Sequence, residues 1–511
     1  MRRVIQTVQC RQRIVRSQPA ALSIHQISRA NDDHHDLGPF PFCGDVGPEI
    51  QQCSAYTEQR LKTLEGTASN LLPFPQDRYA LLALRPFQKT NWLRSAPSQF
   101  TRRACPPSQK HRAIQTMPLI NDTAHAFLPY PDVPVPHAFA GPLTGLCFGV
   151  KDLFDVAGYP TGGGQPFVLA MSGIKTQTAP TVQKLLDAGA RFIGKTVTDE
   201  LAFSMNGNNA HFGAPINGAA PDRISGGSSS GSASAVSNKL CDFALGTDTG
   251  GSVRAPANHC GLYGIRPTHG RISLTGALDL APSYDTCGYF ARDVTTFARI
   301  SNVLLATDAA PLPAKVRLLK PLDIWAMLDA DVTAAQAEPL ARVQAALGST
   351  ADTHVILDDI DTLFWRFRHI QGREAWMVNG PMIKRFCPPL GPGVAERFDW
   401  SSKVTDEQFA LATVFRERFR KHMADLLGSD GVLVLPTVAD VAPLCGETGE
   451  ALESYRNRSI QMLCIAGLSG FPQISMPLGQ RLGAPLGLSL LGPSGSDLSL
   501  VKLAQQIARA N

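Results

Sequence analysis

Residues 226–268 read GGSSSGSASAVSNKLCDFALGTDTGGSVRAPANHCGLYGIRPT. Gly and Ser crowd both ends, and an apolar run, Phe243-Ala244-Leu245, sits in the middle. The pattern predicts a loop, a short helix over 232–238, a strand over 242–245, and a second Gly-rich loop ending in Ser252. Two glycines ahead of a serine let successive N–H groups turn towards one point, because glycine adopts positive φ without a steric penalty. Such a nest holds an anion or a developing oxyanion. Ser252 is therefore a candidate nucleophile beside its own oxyanion hole. Composition alone would make these segments flexible linkers. Here, however, they bracket a strand and keep Asp248 and Arg254 close to the serine.

A serine hydroxyl is a poor nucleophile until a base takes its proton. Upstream, Leu146-Cys147-Phe148-Gly149-Val150 reads as a short buried strand that carries Lys151 to its end. A lysine accepts a proton only when neutral, and its reference pKa is about 10.4, so burial must lower it. Lysine at a strand end is more often solvated. Lys151 follows an apolar run rather than a charged one. By itself it would still pass for a surface residue.

The two motifs together resemble the amidase signature family, including the 24-residue step from Ser228 to Ser252. The resemblance implies Ser252 as nucleophile, Ser228 as a bridging serine preceded by a cis peptide bond, and Lys151 as the base. It puts the backbone oxyanion donors at Thr249, Gly250 and Gly251, and leaves Asp248 and Arg254 to brace the loop. Ser230 stands where the family often has Gly. The run 144–305 looks most like the branch that contains indole-3-acetamide hydrolases. The implied activity is hydrolysis of a linear carboxamide to acid and ammonia through an acyl-enzyme, without cofactor or metal. An aryl- or indole-acetamide is the substrate suggested by the branch, with Asn206, Gly207 and Asn208 as substrate contacts.

Other readings stay open beside this one. Gly227-Ser228-Ser229-Ser230-Gly231 matches G-x-S-x-G, which would make Ser229 an elbow nucleophile, although no convincing strand precedes it. A Ser–His–Asp triad could recruit His211, His259 or His269. No HExxH or paired-His spacing argues for a metal. Two further alternatives are a non-catalytic amidase-like binding module and the A subunit of a tRNA-dependent amidotransferase. The first would be marked by loss of the lysine or the nucleophile, and Lys151, Ser228 and Ser252 are all present. Against the second, Asn217 is followed by Gly218 where many relatives have Asn-Pro, and the body of the chain is acidic.

The chain's charge divides unevenly. Residues 1–116 carry 16 Lys and Arg against 8 Asp and Glu, and the remainder carries 32 against 35. The overall +5 is thus a basic leader on a mildly acidic body and gives no argument for nucleic acid. Hydrophobic content of 44% with 18% charge describes a globular chain with ample core. Eleven cysteines without metal spacing suggest free thiols in a reducing, cytoplasmic setting. No apolar run reaches the roughly 18 residues of a membrane span. The expected partner is a small-molecule amide, with neither nucleic acid nor membrane; the oligomeric state is not legible.

Residues 1–116 lack a sustained hydrophobic period and read as a disordered or non-native extension, with Met117 as the expected natural start and an organelle transit peptide as the weaker alternative. From 117 to 511 we expect one α/β domain of the amidase-signature fold, a mixed central sheet covered by helices on both faces. Helices are expected over 181–188, capped by Thr178, and over 199–205, 294–306, 334–347, 406–427 and 498–508. Strands are expected over 191–194, 288–290, 316–319, 431–436, 473–477 and 487–491. Residues 307–430 are assigned to a lid and substrate wall.

Overall fold

A computed structural model describes residues 121–510; the expectations for residues 1–116 and for Met117 lie outside them. Ten strands form one sheet: β1 Cys147–Lys151, β2 Arg191–Thr196, β3 Phe243–Thr247, β4 Tyr263–Arg266, β5 Cys287–Ala291, β6 Arg317–Pro321, β7 Thr350–Thr353, β8 Gly431–Pro436, β9 Gln473–Arg481 and β10 Ala484–Leu491. Their order across the sheet is β2-β1-β3-β5-β4-β9-β10-β8-β6-β7. Pairing is parallel at both flanks, where β2, β1 and β3 lie together and where β8, β6 and β7 do. It is antiparallel from β3 through to β8. This is the expected mixed α/β sheet flanked by helices.

Strand composition explains the layering. β3, β5 and β8 are buried at every position, as strands covered on both faces must be. Helices such as Pro180–Asp187 bury one stripe, Val182, Leu185 and Leu186, and expose the other.

Several boundaries differ from the sequence reading for identifiable reasons. Helix Pro180–Asp187 has Ala179 at its N-cap with Pro180 behind it and no side-chain cap. The Thr178 hydroxyl instead accepts from the Ala157 N–H at 3.1 Å. No regular helix spans 199–205: a single turn, Glu200–Ala202, is broken by Leu201 and Ala202 at φ of 49° and 57°. Left-handed backbone cannot propagate a right-handed helix. Residues 307–430 supply two strands of the sheet, β6 and β7, and then the 27-residue helix Ile360–Phe386.

Candidate active site

β1 and β3 are hydrogen-bonded in parallel, Phe148 beside Phe243 and Val150 beside Leu245, so both deliver their C-terminal ends to one edge of the sheet. The crevice beyond those ends is where open α/β sheets place ligands. Lys151 ends β1, and the loop from Asp248 to Ser252 follows β3. Helix Ser230–Ser237 precedes β3, so Ser228 and Ser229 lie at the helix's entry. Three segments remote in sequence thus converge.

Lys151 is fully buried. Its Nζ donates to Ser228 Oγ and to Thr247 Oγ1, each at 2.8 Å. Burial pulls its pKa down to about 7 against the opposing pull of Asp199, Asp285 and Asp248. The Gly227–Ser228 peptide bond is cis. Gly227 is required by packing, since a Cβ there would lie 2.1 Å from Asp199 Oδ2. Ser252 is joined to the same cluster through its carbonyl, which accepts from the Ser229 N–H at 3.4 Å. Its hydroxyl has no hydrogen-bond partner among the described residues and faces a narrow cavity of about 20 Å³.

Asp248 organises the loop. Its carboxylate takes Arg254 Nε at 3.0 Å and Nη2 at 2.8 Å, together with Arg266 Nη1 at 3.1 Å. It also accepts the N–H groups of Gly251, Val253 and Arg254. Burial would raise this carboxyl, but Arg254, Arg266 and the N–H donors outweigh burial and hold it below the usual carboxylate range. A consequence touches the expected oxyanion donors. The Gly251 N–H is already given to Asp248 at 3.0 Å, whereas those of Thr249, Gly250 and Ser252 have no partner among the described residues. The Thr249 hydroxyl donates to Asp285 Oδ1 at 2.6 Å, pinning the loop's other end.

Sequence reasoning did not single out Thr247, Arg266, Asp199 or Asp285. Arg266 ends β4 in the stretch first quoted, where a strand arginine ordinarily faces water; here it is fully buried and also bonds the Thr249 carbonyl. Asp199 and Asp285 carry no local signal at all. Of the expected substrate contacts, the Gly207 N–H is committed to Asp199 Oδ2 at 3.1 Å. The Ser252 cavity is lined on that side by 202–205, and on the other by Gly250, Phe367, Arg368, Gln371, Arg456 and Ile460. Asn206, Gly207 and Asn208 are not in its wall. A larger cavity of about 670 Å³, beside Tyr130, Phe192 and His211, reaches none of Lys151, Ser228 and Ser252.

The competing serine readings find little support in these contacts. Ser229 Oγ is fully buried and bridges both the carbonyl and the N–H of Thr247 at 3.2 Å. His259 bonds Tyr455, and burial lowers its pKa to about 3; His211 pairs with Glu200, and His269 with the Pro282 carbonyl. None of the three is hydrogen-bonded to Ser228, Ser229 or Ser252.

The family model for amidases matches residues 119–323 and 378–501. The chain belongs to the amidase family. Amidase 1 of Arabidopsis thaliana is 38% identical over 400 residues, covering 72% of this chain and 93% of that one. Outer envelope protein 64, chloroplastic, of the same plant is 34% identical over 406 residues, covering 73% of this chain and 68% of its own length. A solved amidase structure superposes with a TM-score of 0.65 at 29% identity, covering 72% and 85% of the two chains. As a member of this family the chain is an amide hydrolase. Among the described residues no helix is long and apolar enough to cross a membrane.

Proposed function

We propose that this amidase hydrolyses a linear carboxamide to carboxylic acid and ammonia, with Ser252 as nucleophile and Lys151 as base acting through Ser228. The observation that carries the reading is a fully buried lysine with its pKa drawn to about 7 and its Nζ 2.8 Å from Ser228 Oγ. Neutral Lys151 takes the Ser228 proton along that line while Ser228 takes the proton of Ser252. Ser252 Oγ bonds to the amide carbon, and the oxyanion is met by the free N–H groups of Thr249 and Gly250. This revises the expected donor set, because Gly251 serves Asp248. The proton returns through Ser228 to the leaving nitrogen as the C–N bond breaks, releasing ammonia. Water, deprotonated by the same relay, then hydrolyses the Ser252 ester. Asp248 and Arg254 hold the loop and take no part in the proton transfers.

Aryl- or indole-acetamides are the proposed first substrates to examine, and the proposed setting is cytoplasmic, consistent with cysteines that are all free among the described residues. The test is ammonia release from aliphatic, aryl and indole acetamides by the wild-type chain and by Ser252→Ala. Removing a nucleophile of this kind lowers turnover by at least about 1000-fold. Turnover that survives in Ser252→Ala removes the serine from its role.

A further inference from the structure

Beside the catalytic cavity the protein buries three guanidinium groups with few anions to meet them. Arg368 on helix Ile360–Phe386, Arg397 on helix Val394–Ser402 and Arg456 on helix Glu450–Ser469 are 7%, 9% and 6% exposed. Arg368 Nη1 donates to the neutral Gln371 at 3.0 Å, and its guanidinium stands 5.0 Å from the Trp400 ring centroid. Arg397 Nε donates to the Phe203 carbonyl at 2.6 Å. Neither has a carboxylate within ion-pair distance among the described residues. Arg456 alone has one, Glu453 Oε2 at 3.2 Å, on a side chain that is half exposed, and the Arg456 Nε has no partner among the described residues.

Arginine is rarely buried without a counter-charge, because an unpaired cation out of water is strongly disfavoured. Burial and the neighbouring arginines hold Arg368 well below the ordinary range, and burial with Arg456 brings Arg397 to about 10. The stretch is therefore a buried cationic surface with a single ion pair among the described residues.

Its position says what an anion bound there would belong to. Arg368 and Arg456 line the cavity that holds Ser252. The same two residues also line a second cavity of about 430 Å³, together with Arg397, Trp365 and Trp400. An amide entering towards Ser252 would leave its remaining part among these groups. We propose that the substrate is an amide carrying a carboxylate on its non-reacting part, held by Arg368 and Arg456 with Arg397. The inference rests on the Ser252 reading and narrows its substrate class. A guanidinium presents parallel N–H donors that match the two oxygens of a carboxylate. Trp365 and Trp400 suit a planar or apolar body between the two ends. Glu396 and Glu453 in the same wall leave the three arginines an excess of one positive charge, which matches a monoanion rather than a phosphate dianion.

The test separates binding from turnover. Titration calorimetry on Ser252→Ala protein compares 4-carboxyphenylacetamide with 4-methylphenylacetamide, which differ at one end only. The carboxylate is expected to bind at least tenfold tighter, and its advantage to shrink as sodium chloride is raised. Adding Arg368→Met or Arg456→Met should bring the affinity ratio of the two ligands towards one, with Arg368→Lys intermediate. Equal affinities in the parent protein, including no detectable binding of either ligand, overturn the proposal. So does a ratio unmoved by both Met variants. If those variants do not fold, a salt-insensitive ratio in the parent overturns it. Ammonia release by the wild type is measured separately. Hydrolysis of the methyl amide without carboxylate preference sinks this inference alone, and selective binding without any turnover sinks the serine mechanism alone.

Discussion

Replacing Lys151 by Met should abolish activity and at the same time make the protein more stable. An unfolded lysine titrates near 10.4, while burial brings Lys151 to about 7. As pH falls from about 10 to 7 the unfolded chain takes up a proton that the folded chain refuses, so stability from this group is lost through that window and stays lost below it. At pH 7 the loss amounts to about 4 kcal/mol. Met fills nearly the same volume without charge. It forfeits the hydrogen bonds to Ser228 and Thr247, each worth about 1 kcal/mol. Lys151→Met should therefore unfold in urea about 2 kcal/mol later than wild type at pH 7, and the advantage should close to about zero near pH 9. The same pKa governs turnover. The neutral fraction of Lys151 rises from about 0.09 at pH 6 to about 0.9 at pH 8, so wild-type kcat/KM should climb about tenfold between them. Tryptophan-monitored urea unfolding and an ammonia assay across pH 6–9 measure both effects. A variant less stable than wild type at pH 7, or a flat rate profile, would refute the account of Lys151 as a buried, uncharged base.

Asp248→Asn leaves Arg254 and Arg266 buried beside a neutral group, and should lower stability by roughly 3–5 kcal/mol; a urea midpoint within error of wild type would count against Asp248 as the loop's brace. Gly251→Ala places a Cβ 2.4 Å from Leu463 Cδ1 at a φ of 121°. The loop must move, and ammonia release should fall by about 100-fold, the scale of losing one oxyanion donor; an undiminished rate would show that the loop's position is not critical. Ser230→Ala removes a buried hydroxyl that has no partner among the described residues, and should leave stability unchanged or raise it by up to about 1 kcal/mol, since no bond is lost. A lower melting midpoint would reveal an interaction of that hydroxyl.

How far the sequence speaks depends on how local each interaction is. Asp248 and Arg254 are six residues apart in a loop too short to separate them, so their pairing can be read from the chain. Lys151 lies at the end of an apolar strand, and the parallel alignment of β1 with β3 then brings it to the Ser252 loop. Hydrophobic patterning likewise gives strand β8 and the helix Asp406–Leu427 at the boundaries read from sequence, and strands β1, β3 and β5 with ends shifted by one or two residues. The turn at Glu200–Ala202 fails that test. Apolar spacing over 199–205 resembles a helix, but the Leu201 N–H bonds the Gly163 carbonyl, a partner remote in sequence.

The substrate wall lies furthest from local rules. Helix Ile360–Phe386 has apolar residues around much of its circumference, and it packs against Asp406–Leu427, Val394–Ser402 and Glu450–Ser469. Such a helix shows no clean polar face, so periodicity cannot say which of its arginines points inward. Arg368, Arg397 and Arg456 look in sequence like the solvated cations that surround them. Only the meeting of three helices removes them from water, and of the three only Arg456 has a carboxylate partner, Glu453, one helical turn away. The residues proposed for the chemistry lie on one continuous segment and one strand end. The proposed choice of substrate rests on side chains that tertiary packing alone brings together, and so the amidase family could be read before the structure while the cluster of buried arginines could not.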